Sequence, residues 1–194
     1  MPVHHAERPA PYRGTDPYIF VSYSHNDEDE AIAIMTRLQS DGYRVWYDEG
    51  LAPGSVWNED IASHIEQCGC FIALVSNNYL GSRHCGDELY YAKSIRDKES
   101  HILLVYLEDV QMSAGMKMSF GRLQAIYKYT YTSTEQFFGK IYETNGIQAC
   151  RNVKEQDFPA FEKSKISKDE IATNTHDEFS VDTQKKGSDE CWSK

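Results

Sequence analysis

Two short, continuously apolar segments limit the folds that this chain can adopt. Residues 70–76 read CFIALVS, and residues 101–107 read HILLVYL. A strand that is apolar on both faces is typical of a parallel sheet covered by helices on each side. Residues 82–98, which lie between the two segments, repeat apolar positions at helical spacing. The pattern predicts a β-α-β unit at the centre of the domain.

The same alternation extends on both sides of this unit. Alternating strands and helices pack as a parallel sheet with helices on both faces. Five strands predict an α/β, flavodoxin-like fold with strand order 2-1-3-4-5. The remaining strands are predicted at residues 18–22 and 43–47 and within 124–131, the remaining helices at 27–39, 57–65 and 133–142, and a turn and a loop at 77–81 and 111–121.

Composition divides the chain into three parts. From residue 146 onward Lys, Asp, Glu, Ser and Thr dominate and the apolar residues are scattered, so this segment lacks the apolar surface that folding requires. We predict a flexible N-terminal segment over residues 1–16, one domain over residues 17–145, and a polar tail over residues 146–194 that is solvated or partly helical.

Charge and targeting features narrow the possible partners. The chain carries 30 acidic and 20 basic residues, and its net charge is −10. Its longest basic cluster is Lys185-Lys186, and such a surface repels nucleic-acid phosphates and anionic lipids. We therefore expect no nucleic-acid and no membrane partner. Residues 1–14 contain no apolar stretch of the kind that a secretory signal needs, and we expect a cytoplasmic protein.

The five cysteines indicate neither a disulfide framework nor a metal site. Their number is odd and their spacing irregular, as is typical of reduced thiols in a reducing compartment. Cys68 and Cys70 are separated by one residue, whereas zinc ribbons and thioredoxin-like sites use two. We favour small buried side chains over a metal or redox site here, and we expect no metal and no cofactor.

The predicted strand order indicates where a ligand-binding crevice lies. In such a sheet ligands bind beyond the carboxyl ends of strands 1 and 3, where the chain reverses direction. These ends correspond to residues 22–26 and 76–88. A receiver domain needs acidic residues after strand 1 and an Asp at the end of strand 3 to hold Mg²⁺, and this chain has neither. No glycine-rich phosphate loop follows strand 1.

Glu88 is the carboxylate that the crevice offers. It lies in the first two turns of a predicted helix, and we expect the helix dipole to keep it ionised. A carboxylate in this position can stabilise a neighbouring cation. The residue pattern alone leaves a second interpretation open, in which Glu88 is only a helix-stabilising charge.

Three sequence blocks resemble those of Toll/interleukin receptor (TIR) domains, particularly the bacterial ones. They are YIFVSYSHND at 18–27, GYRVWYD at 42–48 with the loop that follows, and SRHCGDEL at 82–89. The third is similar to the Ser-x-Trp-Cys-x-x-Glu-Leu pattern in which enzymatic TIR domains place their catalytic glutamate. The blocks occur in the family's order and fall on the strands and helices predicted above.

The resemblance implies a TIR fold and an activity. The activity is cleavage of NAD⁺ between nicotinamide and ribose, giving ADP-ribose or a cyclic or conjugated ADP-ribose signal, as in bacterial antiphage systems. NAD⁺ is then the substrate and Glu88 the catalytic residue, since the reaction builds oxocarbenium character on the ribose. The substrate-binding residues that the resemblance implies are Ser22, Tyr23 and Ser24 beside the ribose and nicotinamide, and Asp48, Gly54 and Trp57 in the BB loop that covers or completes the site.

His84 is a departure from the family pattern, since the enzymes often have Trp there. It lies one helical turn before Glu88 and therefore on the same face, where it could replace a stacking surface, alter the acceptor or signal reduced activity. Trp57 and Tyr23 are each equally compatible with a core position. The alternative function is a non-catalytic module that assembles with other TIR domains. The partners implied are NAD⁺, further copies through the BB loop, and an effector that reads the nucleotide product.

Overall fold

A parallel sheet of five strands forms the centre of the domain. The computed structural model describes residues 8–48, 57–95 and 101–152. The strand order is β2-β1-β3-β4-β5, and every neighbouring pair is parallel. This confirms the predicted flavodoxin-like fold. The strands are β1 (Ile19–Ser22), β2 (Val45–Trp46), β3 (Cys70–Val75), β4 (Ile102–Tyr106) and β5 (Gln124–Tyr127).

Helices cover both faces of the sheet. Helices α1 and α6 bury apolar residues against one face, and α2, α4 and α5 bury theirs against the other. All six residues of β3 are buried, as its apolar sequence predicts. None of the helices in the described parts has the length and apolar character that a membrane span requires. The helices are α1 (Glu28–Ser40), α2 (Trp57–Gln67), α3 (Asn77–Gly81), α4 (Arg83–Ile95), α5 (Ala114–Phe120) and α6 (Thr134–Tyr142).

Two short helices lie where the sequence predicted a turn and a loop. In α3, the Ser76 side chain accepts a hydrogen bond from the Tyr79 N–H and so caps the helix. In α5, Ser113 caps the helix by accepting from the Met116 N–H, and Phe120 is buried against the sheet. Capping and one buried aromatic are sufficient to form a helix too short for a periodic pattern to reveal.

The domain extends past residue 145, which corrects the predicted start of the tail at residue 146. Ile147 and Cys150 are fully buried in the core cluster of the α1 and α6 face. The Arg44 N–H donates to the Cys150 carbonyl at 2.8 Å, and the Asn152 N–H donates to the Gly42 carbonyl at 2.7 Å. Because polar and charged residues dominate the chain from residue 146 onward, the sequence pattern did not show that Ile147 and Cys150 belong to the core. Residues 153–194 lie outside the described parts.

Residues 8–12 of the N-terminal segment contact the rest of the domain, whereas residues 1–16 were predicted to be flexible. The Tyr12 N–H donates to the Val45 carbonyl at 2.8 Å, and the Tyr47 hydroxyl donates to the Pro9 carbonyl at 2.7 Å. Arg8 forms an ion pair with Glu28. These contacts place the segment beside β2, an edge strand whose outer backbone groups need partners.

Candidate active site

The last residue of β1 holds the carboxyl group of Glu88. Side chains alternate along β1, so Ile19 and Val21 pack on the α1 face, whereas Phe20 packs on the α4 face. Ser22 therefore points toward α4, and its hydroxyl donates to Glu88 Oε2 at 2.5 Å. This contact unites two residues 66 positions apart in the sequence, as the predicted crevice required.

Tyr79 extends this hydrogen-bonded group, although the sequence did not identify it. Its hydroxyl lies 3.1 Å from Ser22 Oγ and 3.2 Å from the Cys85 carbonyl oxygen, and its side chain is fully buried. Burial raises the pKa of Tyr79 well above its ordinary value. The residue stays a neutral hydrogen-bond donor throughout the physiological pH range.

Burial raises the pKa of Glu88 to about 7, while the hydrogen bond from Ser22 lowers it and the negative charge of Asp48 raises it further. Both the protonated and the ionised form of Glu88 are therefore accessible at neutral pH. This corrects the expectation that the helix dipole keeps the group ionised. The loss of hydration on burial outweighs the stabilisation that a helix N-terminus gives to an anion.

A cavity of about 290 Å³ opens beside Glu88 between α2 and α4. One wall is apolar and belongs to α2, and the other carries polar groups of α4. His84 and Glu88 both line it, which confirms that they share one face of the helix. No lysine or arginine belongs to the described lining, which consists of Ile61, Ala62, Ile65, His84, Asp87, Glu88 and Tyr91.

Tyr23 and Ser24 do not line this cavity. The Tyr23 ring packs in the core of the α1 face, 6.3 Å from the Tyr47 ring. Its hydroxyl is buried without a hydrogen-bond partner among the described residues, and burial raises the pKa of Tyr23 to about 12. The Ser24 side chain is buried and accepts from the Asn26 N–H, so it shapes the turn after β1.

The loop residues are only partly described. Asp48 follows β2, and its charge acts on both Glu88 and Tyr23. Gly54 lies outside the described residues. Trp57 begins α2, and its side chain also lies outside the description.

A second cluster of hydrogen-bonded side chains lies at the end of β3 and connects it to the turn after β1. The Ser76 hydroxyl donates to Asp27 Oδ2 at 2.5 Å, and the Asn78 amide donates to Asp27 Oδ1 at 2.6 Å. Asp27 lies on the turn after β1 and precedes α1. The group therefore fixes α3, with Tyr79, relative to the end of β1.

The cysteines and other candidate ligands are dispersed. Cys68, Cys70, Cys85 and Cys150 are buried, and burial raises the pKa of the Cys85 thiol to about 11. Within residues 8–48, 57–95 and 101–152, no group of three or more His, Cys, Asp or Glu side chains is placed to hold a metal ion.

Comparison with known proteins identifies the family. Residues 19–140 match the TIR domain family. The chain belongs to the TIR domain family. In this TIR domain Ser22, at the carboxyl end of β1, is hydrogen-bonded to Glu88 of α4, which lines the cavity between α2 and α4. No curated protein matches its sequence.

Two solved structures resemble this TIR domain. The TIR domain of the Toll-related receptor TRR-2 from Hydra magnipapillata is 14% identical, with a TM-score of 0.52 over 64% of this chain and 94% of that one. The CMP N-glycosidase BcmB of Clostridium botulinum is 15% identical, with a TM-score of 0.44 over 64% of this chain and 98% of that one. At such low identity the first likeness concerns the fold alone.

Proposed function

We propose that this TIR domain cleaves NAD⁺ between nicotinamide and ribose, with Glu88 as the catalytic carboxylate. The observation that carries the proposal is the position of Glu88, which is partly buried, bonded to Ser22 and exposed to the cavity between α2 and α4. The TIR family includes NAD-cleaving enzymes, and the block that contains Glu88 resembles the one in which they carry their glutamate.

The reaction needs a fixed anion next to the ribose. The electron pair of the C1′–N bond leaves with nicotinamide, whose ring becomes neutral, and positive charge develops on the ribose. Water then adds to C1′ and loses a proton, which gives ADP-ribose. An internal nucleophile in place of water gives a cyclic product, and another acceptor gives a conjugate.

Glu88 meets this need because its environment is already organised. An ionised carboxylate in a poorly hydrated site interacts more strongly with the developing cation than it would in water. The Ser22 hydrogen bond fixes one carboxylate oxygen, and the other remains available to the ribose hydroxyls. The pyridinium charge of bound NAD⁺ favours the ionised form of Glu88 and so lowers its pKa in the complex.

The described lining also indicates which end of the substrate enters. It combines an apolar wall on α2 with His84, Asp87 and Glu88 on α4, a combination suited to a planar cationic ring. Without lysine or arginine in that lining, the cavity offers no counter-charge for a pyrophosphate. We assign it to the nicotinamide riboside half of NAD⁺.

Nicotinamide release from NAD⁺ by the purified full-length chain tests the proposal. We expect Glu88→Gln to reduce turnover by at least about 100-fold, because shape is kept while the charge that faces the ribosyl cation is lost. Glu135→Gln is the matched control, since Glu135 is exposed on α6 across the sheet. Unchanged turnover in Glu88→Gln would remove Glu88 from the reaction.

The alternative is a non-catalytic module that assembles with other TIR domains, and His84 in place of Trp is the residue that favours it. Absence of nicotinamide release by the wild-type protein at any concentration would support this alternative. In the catalytic proposal, the product acts as a bacterial immune signal for an effector protein, and copies associate through the BB loop. Turnover per molecule that falls on dilution would indicate a shared site.

A further inference from the structure

The buried hydroxyl of Tyr79 has no role in the chemistry described so far, yet it ends a chain of hydrogen bonds that leads to Glu88. Ser22 has one hydroxyl hydrogen, and the 2.5 Å bond to Glu88 uses it. When Glu88 is ionised, the Tyr79 hydroxyl is then the donor in the 3.1 Å contact with Ser22, and it shares its single hydrogen between Ser22 Oγ and the Cys85 carbonyl oxygen at 3.2 Å. The order of donation is Tyr79 to Ser22 to Glu88.

We infer that Tyr79 is a positioning residue, which acts through Ser22 to hold Glu88 ionised and correctly oriented. This inference rests on the proposed role of Glu88. Hydrogen bonds in a chain polarise one another, so a hydroxyl that accepts a bond is a better donor. A bond to a charged acceptor is about twice as strong as a neutral one, so the chain favours the carboxylate over the carboxylic acid.

The surroundings of Tyr79 hold its hydroxyl next to Ser22. The ring is fully buried on the α4 face of the sheet, and its helix is capped by Ser76, which is itself bonded to Asp27. The Cys85 carbonyl oxygen, 3.2 Å away, accepts the same hydrogen, so the Tyr79 hydroxyl lies between two acceptors. Tyr79 therefore has little freedom to leave Ser22.

Other groups near Glu88 do not replace this effect. The Asp48 charge raises the pKa of Glu88 and so opposes the chain. The described residues of α2 that line the cavity are all aliphatic. Among the described residues, the polar groups near Glu88 are Ser22 from β1, Asp48 after β2, Tyr79 from α3, and Cys85, His84, Asp87 and Tyr91 from α4 itself.

The decisive experiment is a double-mutant cycle on the titration of Glu88 in the full-length chain. The Glu88 carboxyl carbon is followed by NMR without substrate and is assigned by its absence in Glu88→Gln. We expect Ser22→Ala to raise the pKa of Glu88 by about one pH unit and Tyr79→Phe by about half as much. Because Tyr79 acts through Ser22, Tyr79→Phe should have no further effect in the Ser22→Ala background.

Tyr18→Phe is the matched control. Tyr18 is another buried tyrosine on the same face, and its hydroxyl bonds to His64 instead. The Tyr18→Phe substitution removes a comparable hydroxyl but should leave the pKa of Glu88 unchanged. An equal shift of the Glu88 pKa by Tyr79→Phe in both backgrounds, or no shift in either, would overturn the inference.

Activity supplies a second readout that packing damage would not produce. The pH profile of nicotinamide release in Tyr79→Phe should move toward higher pH, with turnover returning to the wild-type level once Glu88 is fully ionised. If Tyr79→Phe fails to fold, site-specific replacement of Tyr79 by 3-fluorotyrosine keeps every contact and strengthens the donor. This replacement should lower the pKa of Glu88. An unchanged pKa of Glu88 would contradict the proposed chain of hydrogen bonds.

The two proposals fail separately. A wild-type protein that releases no nicotinamide, but shows the expected titration cycle, would overturn the function and leave the hydrogen-bond chain intact. If the wild-type protein releases nicotinamide but Tyr79→Phe does not change the pKa of Glu88, only the role of Tyr79 is overturned.

Discussion

Glu88 combines two properties that oppose each other at the scale of a single residue. Its carboxyl is placed where a cation can be stabilised, and that same placement removes the water that would stabilise its own charge. The ordinary pKa of 4.5 becomes about 7. A site that favours a buried anion for chemistry thus lowers the stability of the folded chain at neutral and higher pH.

This conflict predicts that Glu88→Gln stabilises the domain in a pH-dependent way. The folded-state pKa exceeds the unfolded one, so the wild type loses stability as pH rises from the unfolded pKa through 7. The full loss is at most about 3 kcal/mol. Urea denaturation from about pH 4 to pH 8 should show equal stability of mutant and wild type at the acid end, and a more stable mutant above pH 7.

Glu135→Gln is a control that should have the opposite effect on the free energy of unfolding at neutral pH. Hydrogen bonds from the backbone and from Ser133 hold the pKa of the Glu135 carboxyl below its ordinary value. Its ionised form therefore stabilises the fold at neutral pH, and that contribution disappears as pH falls through the folded pKa. If Glu88→Gln followed the wild type at every pH, the carboxyl of Glu88 would have to be well hydrated.

At the scale of elements, residue spacing predicted long elements well and short ones poorly. The short apolar runs of β3 and β4 indicated buried strands because a strand covered by helices on both sides needs apolar residues on both faces. Helical spacing placed His84 and Glu88 on one face. Helix α3 has five residues, too few for periodicity, so Tyr79 fell in a predicted turn. The raised pKa of Glu88 depends on what covers it, which no local pattern records.

Ser76 is the residue on which α3 depends. Its hydroxyl caps α3 at the Tyr79 N–H and also donates to Asp27. We expect Ser76→Ala to cost about 2 kcal/mol in the free energy of unfolding, since it removes the cap of α3 and the hydrogen bond to Asp27 Oδ2. It should also raise the apparent pKa of nicotinamide release, because Tyr79 becomes less well positioned.

Two variants separate these effects in denaturation and activity measurements. Ser113→Ala removes the equivalent cap of α5 and should cost about 1 kcal/mol without moving the pH profile. Ser76→Thr keeps the hydroxyl and should stay close to the wild type in both measurements. Ser76→Ala with an unchanged stability would show that α3 does not depend on its cap.

At the scale of the whole molecule, the domain is closed by residues far apart in sequence. The first described segment packs beside β2 through Tyr12, and the last one packs beside the same edge through Cys150. Composition placed the domain boundary at residue 145 because charged and polar residues dominate beyond it. Ile147 and Cys150 are buried in a core cluster that also contains residues of β2 and α1, so only the folded arrangement reveals their burial.

The length of the folding unit follows from this closure and can be tested by two truncations. A chain that ends at Asn152 should match the full-length protein in urea denaturation to within about 1 kcal/mol. A chain that ends at Asn145 loses Ile147, which is fully buried, together with the backbone hydrogen bonds to Arg44 and Gly42. The loss of one such aliphatic side chain alone costs about 2–5 kcal/mol.

Ile147→Ala in the full-length chain separates the core contact from the length of the chain. It should reproduce most of the instability of the shorter truncation, because the cavity left by the isoleucine is the larger part of the loss. Since β2 leads directly to Asp48, whose charge acts on Glu88, loosening this edge should also change nicotinamide release in the shorter chain. Equal stability of the two truncated chains would show that residues 146–152 merely rest on the domain without completing its core.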